Sequence, residues 1–209
     1  MPGEKDIHGA REGRRELKRR QTRGRIEDAA MALFLDRGFD QTTIEEITEA
    51  ADVSKRSFFD YFPSKEDVVS AWQDTFADHL AEAIAARPGG EPMARVVEEA
   101  LSATVVAAFN PQSLAVSKLI RATPTLSARD QLKYAKLESC LTAALLSRCA
   151  DGETERLRVR LLSAAVIGAM RVGGEQWHQA PRGTTPEALF RSLFAELKDV
   201  LSAFGSTSA

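Results

Sequence analysis

Residues 42–68 read TTIEEITEAADVSKRSFFDYFPSKEDV, and this stretch contains the boundaries of three helices within twenty-seven residues. Thr42 and Glu45 have the spacing of a capping box, in which each side chain bonds to the backbone N–H of the other residue. Apolar Ile47 and Ala51 follow at helical spacing. The sequence therefore predicts a helix of about two turns that begins at Thr42.

The next helix is also short. Ser54 is a typical N-cap residue, so the sequence predicts that this helix begins immediately after it. It must end near Phe62, because Pro63 disfavours a helical conformation at the residue before it. Ser64 and Asp67 repeat the capping signature and predict the start of a longer helix.

The short helix carries its cations at its beginning. Phe58 and Phe62 are four residues apart and can pack inward together. The residues left to face outward are Lys55, Arg56, Ser57, Asp60 and Tyr61. Cations are slightly disfavoured at a helix N-terminus, so interactions within the helix do not explain the position of Lys55 and Arg56. An external polyanion explains why both cations lie there.

The first two of these helices have the dimensions of a helix-turn-helix. In that motif the N-terminal residues of the second helix approach base edges, so Lys55 or Arg56 could donate to guanine O6 and N7. The side chains placed for phosphate contacts, which fix register, are Thr42, Thr43, Tyr61 and Lys65. The alternative is a compact helical corner whose exposed charges are ordinary solvated residues.

Charge is distributed unevenly along the chain. Its net charge is only −2, yet residues 1–25 hold nine basic and four acidic side chains. This segment therefore carries +5 and the remainder −7. A basic arm before an acidic body is typical of a nucleic-acid-binding end, although a disordered tail that only aids solubility would look the same.

The rest of the 209-residue chain predicts an all-α fold of about nine helices. Residues 1–19 are polar and are expected to be a disordered basic arm, with the first helix running from Arg20 to a C-terminal cap at Gly38. Residues 20–66 form the predicted DNA-binding domain, and residues 67–209 a larger C-terminal helical bundle. After a long fourth helix, proline and glycine breaks predict helices at about 92–109, 112–122, 126–150, 153–179 and 186–204.

Catalytic and metal-binding signatures do not emerge. Cys140 and Cys149 are nine apart, which suits neither a local disulfide nor a metal pair, and the three histidines are scattered. We expect no catalytic residues, no metal and no cofactor, and an all-α enzyme is a remote alternative. The sequence has no apolar run of membrane-spanning length and no export signal, so the expected location is cytoplasmic and away from the membrane.

The stretch from Arg25 to Val69 resembles the DNA-binding domain of the tetracycline-repressor (TetR) family. The resemblance rests on IEDAAMALFLDRGFDQTTIEEI at 26–47 and AADVSKRSFFDYFPSKEDV at 50–68. It includes the most diagnostic segment, Tyr-Phe-Xxx-Ser-Lys-Glu-Asp, at the transition into the fourth helix. The family's frequent DNA-contacting positions correspond to Thr43, Ser54, Lys55, Arg56, Ser57, Tyr61 and Lys65, whereas Phe59 and Asp60 fall where members vary.

The resemblance also implies a small-molecule pocket in the C-terminal bundle. Residues 96–109 are apolar on nearly every face, as expected of a central helix. Candidate polar groups are Ser102 and Thr104, and the candidate walls are Trp72, Phe76, Leu101, Val105, Met170 and Trp177, although core packing explains each of these residues too. A weaker similarity from Arg121 to Trp177, to a group of actinobacterial-type members, would allow acyl thioesters or other lipophilic effectors.

The last two helices are the expected homodimer interface, as in the family. Small or apolar side chains recur on one face of the eighth helix at Leu161, Ala164, Ala165, Gly168 and Val172, and the ninth helix has an apolar stripe at Leu189, Leu193, Phe194, Leu197 and Leu201. The implied function is that of a dimeric repressor on a palindromic DNA operator, released by a small apolar or amphipathic effector. An activator, or a regulator controlled by a protein partner without a small ligand, is the alternative.

Overall fold

The computed structural model describes residues 4–149, 152–177, 179–181 and 183–206. Nine α-helices and no strand lie within these ranges, so the all-α prediction is confirmed. The helices are α1 (Glu4–Arg37), α2 (Ile44–Ala50), α3 (Lys55–Tyr61), α4 (Lys65–Ala85), α5 (Met93–Ala108), α6 (Pro111–Ala122), α7 (Pro124–Leu146), α8 (Glu153–Trp177) and α9 (Pro186–Ser206).

The first helix is longer than predicted. It begins at Glu4 rather than at Arg20, so the expectation of a disordered arm is wrong for residues 4–19, while residues 1–3 lie outside the described residues. Arginine, lysine, leucine and glutamate dominate this segment and are good helix formers. Glu16 and Arg20 also form an ion pair one turn apart, with Nε and Oε1 separated by 3.7 Å. The α1 helix therefore continues from its packed C-terminal part, which begins at Ile26, back to Glu4.

After the turn that follows α1, the capping box lies one residue later than predicted. The capping box is formed by Thr43 and Glu46, not by Thr42 and Glu45: the Thr43 N–H donates to Glu46 Oε2 at 2.8 Å and the Glu46 N–H to Thr43 Oγ1 at 3.2 Å. Thr42 is 1% exposed, and its hydroxyl donates to the Gly38 carbonyl at 2.9 Å. Two threonines followed by two glutamates allow either register, and burial of the first threonine selects the second.

The other predicted boundaries in this region are confirmed. The Ser57 N–H donates to Ser54 Oγ at 3.0 Å, as expected of an N-cap, and the helix ends at Phe62 in an extended conformation. At the start of α4 the Ser64 hydroxyl donates to the Asp67 carboxylate at 2.6 Å. These caps fix α3 as a rod of seven residues.

The chain divides into two compact units. The first comprises the described residues up to Trp72 together with Ala115–Ala128. Its core joins α1 to α4 with the end of α6 and the start of α7, because buried residues come from all of them: Ile26, Phe34, Ile47, Phe58, Phe62, Val68, Val116, Ile120 and Leu126. The compact unit is thus larger than the predicted domain of residues 20–66, and the functional division of the chain stays a prediction.

The second unit comprises Gln73–Leu114 and the described residues from Arg129 onward. Its core surrounds α5, where Val97 and Leu101 have no exposed surface. The α9 helix packs closely on α8, since a Cβ added to Gly173 would lie 2.3 Å from Leu193 Cδ1. Phe194 is also buried, at 5% exposure. Leu193 and Phe194 therefore pack within the chain, which corrects their assignment to a surface between two copies.

Candidate nucleic-acid interface

The α3 helix is anchored by one face and presents the other to solvent. Phe58 and Phe62 are 0% and 2% exposed, as predicted from their spacing. Arg56 and Asp60 are exposed and lie one turn apart on the opposite face, with Phe59 beside them at 48% exposure. A short rod with one anchored face can enter a groove of another molecule with the other.

Arg56 is available to an external acceptor. Its side chain is exposed, and it forms no hydrogen bond or ion pair with any other residue that the structure describes. The guanidinium carries five N–H donors in a rigid fork that matches the O6 and N7 acceptors of guanine. Its position one residue inside the start of α3 is where a helix-turn-helix contacts base edges.

Lys55 is exposed but not free. Its ammonium donates to the Glu45 carboxylate of α2, and this hydrogen bond holds the pKa of Glu45 below its usual value. The lysine therefore links the two helices of the motif. A phosphate at this position would compete with Glu45 for the ammonium, because both are anionic acceptors.

The hydroxyl side chains at the two helix starts remain accessible, although they also serve as caps. Thr43 and Ser54 are exposed, and Ser57 is half-buried with its hydroxyl 3.1 Å from that of Ser54. Their hydroxyls sit at the N-termini of α2 and α3, where backbone dipoles favour an anion. All three remain candidates for phosphate contacts.

Two predicted phosphate contacts are changed by the structure. Thr42 is buried with its hydroxyl occupied, so the prediction that it touches DNA is wrong. The Lys65 ammonium donates to the carbonyls of Phe39 and Thr42 at 2.8 and 3.0 Å, and lies 4.4 Å from the centroid of the Phe39 ring. Lys65 thus holds the α1–α2 turn and keeps one N–H for a phosphate.

Phe59 and Asp60 belong to the outward face but were absent from the predicted site. The signal that finds them is helical spacing, since they lie three and four residues after Arg56. An exposed aromatic ring can pack against a thymine methyl group, and a carboxylate can accept from cytosine N4. The outward face therefore offers three different kinds of base contact.

Tyr61 borders an open groove between α1 and the helix-turn-helix. The phenol ring is half-buried, and the Arg19 guanidinium lies 5.9 Å from its centroid. The groove has a volume of about 1020 Å³ and also reaches Ser54 and Ser57. The predicted contact residue Tyr61 therefore lies beside the basic part of α1.

The predicted pocket residues divide between the two units. Leu101 and Thr104 are buried in the second unit, where the Thr104 hydroxyl donates to the Ala100 carbonyl at 2.7 Å. Trp72 packs against the core of the first unit, so it does not line the core of the second as predicted. The remaining candidates lie in the second unit. Ser102 is half-buried, and the Trp177 ring lies 4.7 Å from that of Phe109. The candidates that pack against the core of this unit are Phe76, Val105 and Met170.

One buried polar group in the second unit was missed by the sequence analysis. Ser163 on α8 has no exposed surface, and its hydroxyl has no hydrogen-bond partner in the described part of the molecule. Buried polar groups normally have a partner, so this hydroxyl stands out. No spacing rule distinguishes it from a surface serine, because its burial depends on tertiary packing.

Other kinds of site find little support in the described residues. No group of three or more His, Cys, Asp or Glu side chains there could hold a metal ion, and no helix there is long and apolar enough to cross a membrane. Cys140 and Cys149 are free thiols, and burial raises the pKa of each. Raised pKa values disfavour the nucleophilic thiolate.

Two family models match the chain. The model described as "Bacterial regulatory proteins, tetR family" matches residues 26–72, and the model of the MftR C-terminal domain, a TetR-type C-terminal domain, matches residues 110–202. The chain belongs to the TetR family of transcriptional regulators. It is therefore a DNA-binding regulator and not an enzyme.

Relatives and solved structures agree with this membership. The chain is 28% identical over 174 residues to the transcriptional regulator TcmR of Streptomyces glaucescens, covering 79% of this chain and 77% of TcmR. It is 28% identical over 189 residues to MftR of Mycobacterium tuberculosis, named for regulation of mycofactocin biosynthesis, covering 87% and 91% of the two chains. A crystal structure of a TetR-family protein from Mesorhizobium loti shares the fold, with a TM-score of 0.60, 18% identity and coverage of 88% and 97%.

Proposed function

We propose that this TetR-family protein is a dimeric repressor that α3 directs to a palindromic operator and that a lipophilic small molecule releases. The observation that carries the DNA-reading part of this proposal is the anchored α3 rod with Arg56 exposed and unpaired among the described residues. Repression follows if the dimer occupies a promoter and excludes polymerase. Because its target is chromosomal DNA, we place the protein in the bacterial cytoplasm.

Base reading is assigned to the outward face of α3. Arg56 donates to guanine, Phe59 packs on a thymine methyl group, and Asp60 accepts from cytosine N4. Thr43, Ser54, Ser57, Tyr61 and the remaining N–H of Lys65 contact phosphates and set the register. Lys55 joins them when a phosphate displaces Glu45.

Dimerisation is assigned to an apolar stripe on α8. Leu157, Leu161, Ala164 and Val172 are exposed and Gly168 is half-buried, and these residues recur on one face of the helix. Val200 and Leu201 add exposed apolar surface at the end of α9, each 52% exposed. A two-fold dimer would place two copies of α3 on successive major-groove faces, about 34 to 36 Å apart.

The effector site is assigned to the second unit. The unpartnered Ser163 hydroxyl supports a ligand with one polar group, and the side chains packed around that core are apolar. Phe76, Ser102, Val105 and Met170 remain the candidate contacts. Three helices, α4, α6 and α7, contribute residues to both units, so a ligand that shifts them can change the population of the DNA-binding state.

The proposal is tested in three steps with the purified full-length protein. In the first step, duplexes selected from a random-sequence pool should converge on a palindrome, bound at least about a thousand times more tightly than scrambled DNA. In the second step, lauric acid or its coenzyme A thioester should weaken that complex, whereas glucose should not. In the third step, a promoter carrying the palindrome should be silenced by the protein. Convergence with increased transcription in place of silencing would identify an activator, and convergence without any effect of lipophilic compounds would favour control by a protein partner.

A further inference from the structure

The part of α1 that precedes its packed core has one cationic face. The cations of this face are Arg15, Lys18, Arg19 and Arg25. The last three follow Arg15 by three, four and ten residues, and this spacing places all four on the same side of an α-helix. Thr22 lies between them on that side. All four cations are exposed. This set of four is called the α1 basic face below.

The α1 basic face forms one wall of the groove whose other wall is the helix-turn-helix. All four cations line this groove together with Ser54, Ser57 and Tyr61 of the α3 region. The Arg19 guanidinium over the Tyr61 ring joins the two walls. The α1 basic face is therefore held next to the helix that reads DNA, within the same compact unit.

None of the four cations has an acidic partner among the described residues, and the one side-chain contact of Arg19 there is with the Tyr61 ring. Arg15, Lys18 and Arg25 form no ion pair with any residue that the structure describes. Elsewhere on the same part of α1, by contrast, arginines are neutralised: Arg20 by Glu16, and Arg23 by Glu27 at 2.9 Å. The unpaired charges are thus concentrated on the side that faces the groove.

Acidic groups also line the groove and affect where an anion can bind. Asp52 and Asp60 belong to the helix-turn-helix wall, while Glu16 lies on α1 and is engaged by Arg20. A bound anion is repelled by the first two and attracted by the unpaired cations opposite. The favourable position for it is the α1 side of the groove.

We propose that the α1 basic face is a second DNA-contacting element, and that Arg15, Lys18 and Arg25 bind phosphates next to the base pairs read by α3. This inference rests on the proposed reading of DNA by α3. The major groove is about 12 Å wide and accepts one α-helix of about 10 to 12 Å diameter. With α3 in the groove, a neighbouring helix faces the sugar-phosphate ridge. Its long cations therefore contact phosphates and not base edges.

The test compares two charge-matched variants of the full-length protein on a duplex selected by the parent protein. R15Q/K18Q removes two unpaired cations from the α1 basic face, and R20Q/R23Q removes two paired cations from elsewhere on the same helix. Affinity is measured from 50 to 200 mM salt by fluorescence anisotropy, and circular dichroism verifies that each variant is helical. Glutamine is a good helix former, so both variants should fold.

Each lost phosphate contact should lower the salt slope by about 0.9. Over this range the parent should lose about 12-fold more affinity per subunit than R15Q/K18Q, whereas R20Q/R23Q should follow the parent. Preference for the selected duplex over scrambled DNA should be unchanged in both variants. Hydroxyl-radical footprints of R15Q/K18Q should lose protection of the backbone sugars that adjoin the half-site.

Three results would overturn the inference. An unchanged salt slope in R15Q/K18Q would mean that these cations do not reach DNA, and an altered sequence preference would mean that they read bases. If the parent protein selects no DNA sequence, the proposed reading by α3 fails and this inference fails with it. If the parent protein binds a specific sequence but R15Q/K18Q has the same salt slope as the parent, only the inference about the α1 basic face fails, and the proposed reading by α3 stands.

Discussion

At the scale of single residues, the pairing of Lys55 with Glu45 determines how much positive charge α3 offers to DNA. The carboxylate holds the ammonium across the motif, and both side chains are more than half exposed. Removing the carboxylate should release the lysine and also remove a negative charge close to the phosphates.

We expect Glu45→Gln to tighten binding to a selected duplex and to steepen its salt slope by about one phosphate contact. Anisotropy titrations at several salt concentrations measure both effects. Glu49→Gln is the matched control, because it removes an exposed carboxylate of the same helix without releasing a lysine. Equal effects of the two changes would show that DNA affinity responds only to the loss of one negative charge and not to the release of Lys55.

The raised pKa of Tyr134 on α7 should make the free energy of unfolding depend on pH in the alkaline range. Burial, together with the charges of Asp130 and Glu175, raises the pKa of Tyr134 from 10.0 to about 12. The unfolded chain thus loses this proton at lower pH than the folded chain does, so the tyrosine's contribution is complete below pH 10 and is lost as pH rises toward 12.

The free energy of unfolding of the parent should therefore fall more steeply between pH 10 and 12 than that of Tyr134→Phe. Urea titrations at intervals across this range provide the measurement. The lysines titrate in both proteins and cancel in the comparison. Parallel curves for the parent and the variant would contradict the assigned pKa.

At the scale of helices, the close contact of α8 with α9 depends on a missing side chain. A Cβ at Gly173 would come within 2.3 Å of Leu193 Cδ1, so the leucine must move to accommodate it. Overpacking typically costs about 1 to 3 kcal/mol, and alanine regains about 0.5 to 1 kcal/mol as the better helix former, so we expect Gly173→Ala to lower the free energy of unfolding by about 1 kcal/mol.

A suitable control for this prediction is Gly24→Ala. A Cβ there meets nothing within 4 Å, and alanine is the better helix former, so stability should rise by about 0.5 to 1 kcal/mol. Chemical denaturation of both variants decides the point. Stabilisation by Gly173→Ala would show that α9 does not lie against α8 as described.

The helices also show which parts of the fold can be predicted from sequence. Caps and proline breaks locate most boundaries, because N-cap side chains and the geometry of Pro63 act within a few residues. The capping register at Thr42 and Thr43 cannot be predicted, because burial against the α1–α2 turn decides it. The helical residues 4–19 were missed because polar composition alone does not separate a solvated helix from a disordered tail.

The same limits apply to the candidate site. Local spacing identifies the anchored and outward faces of α3, including Arg56. The roles of Lys65 and Lys55 cannot be predicted, since each binds groups ten or more residues away in sequence. Ser163 is comparable, because only tertiary packing isolates its hydroxyl.

At the scale of the whole molecule, the proposed dimer depends on apolar surface that α8 leaves uncovered. Leu161 is 62% exposed, so replacing it with glutamate should leave the folded chain intact while placing a charge in the interface. We expect Leu161→Glu to be monomeric by analytical ultracentrifugation at concentrations where the parent is dimeric. Its affinity for the palindrome should fall at least about tenfold, because the two half-sites are no longer bound together.

Leu132→Glu is the control for this change. Leu132 has the same 62% exposure but lies on α7, so this variant should remain dimeric. Dissociation of both variants would indicate a general loss of solubility or folding. A dimeric Leu161→Glu protein would place the interface elsewhere.

The proposed reading of base edges by Arg56 is tested most directly by the affinity ratio between the selected palindrome and its scrambled counterpart. We predict that Arg56→Gln lowers this ratio by about 5- to 150-fold per half-site, because a bidentate guanine contact contributes roughly 1 to 3 kcal/mol of discrimination. The ratio for Arg20→Gln should equal that of the parent. An unchanged ratio in Arg56→Gln would contradict the assignment of the α3 outward face as the surface that reads DNA.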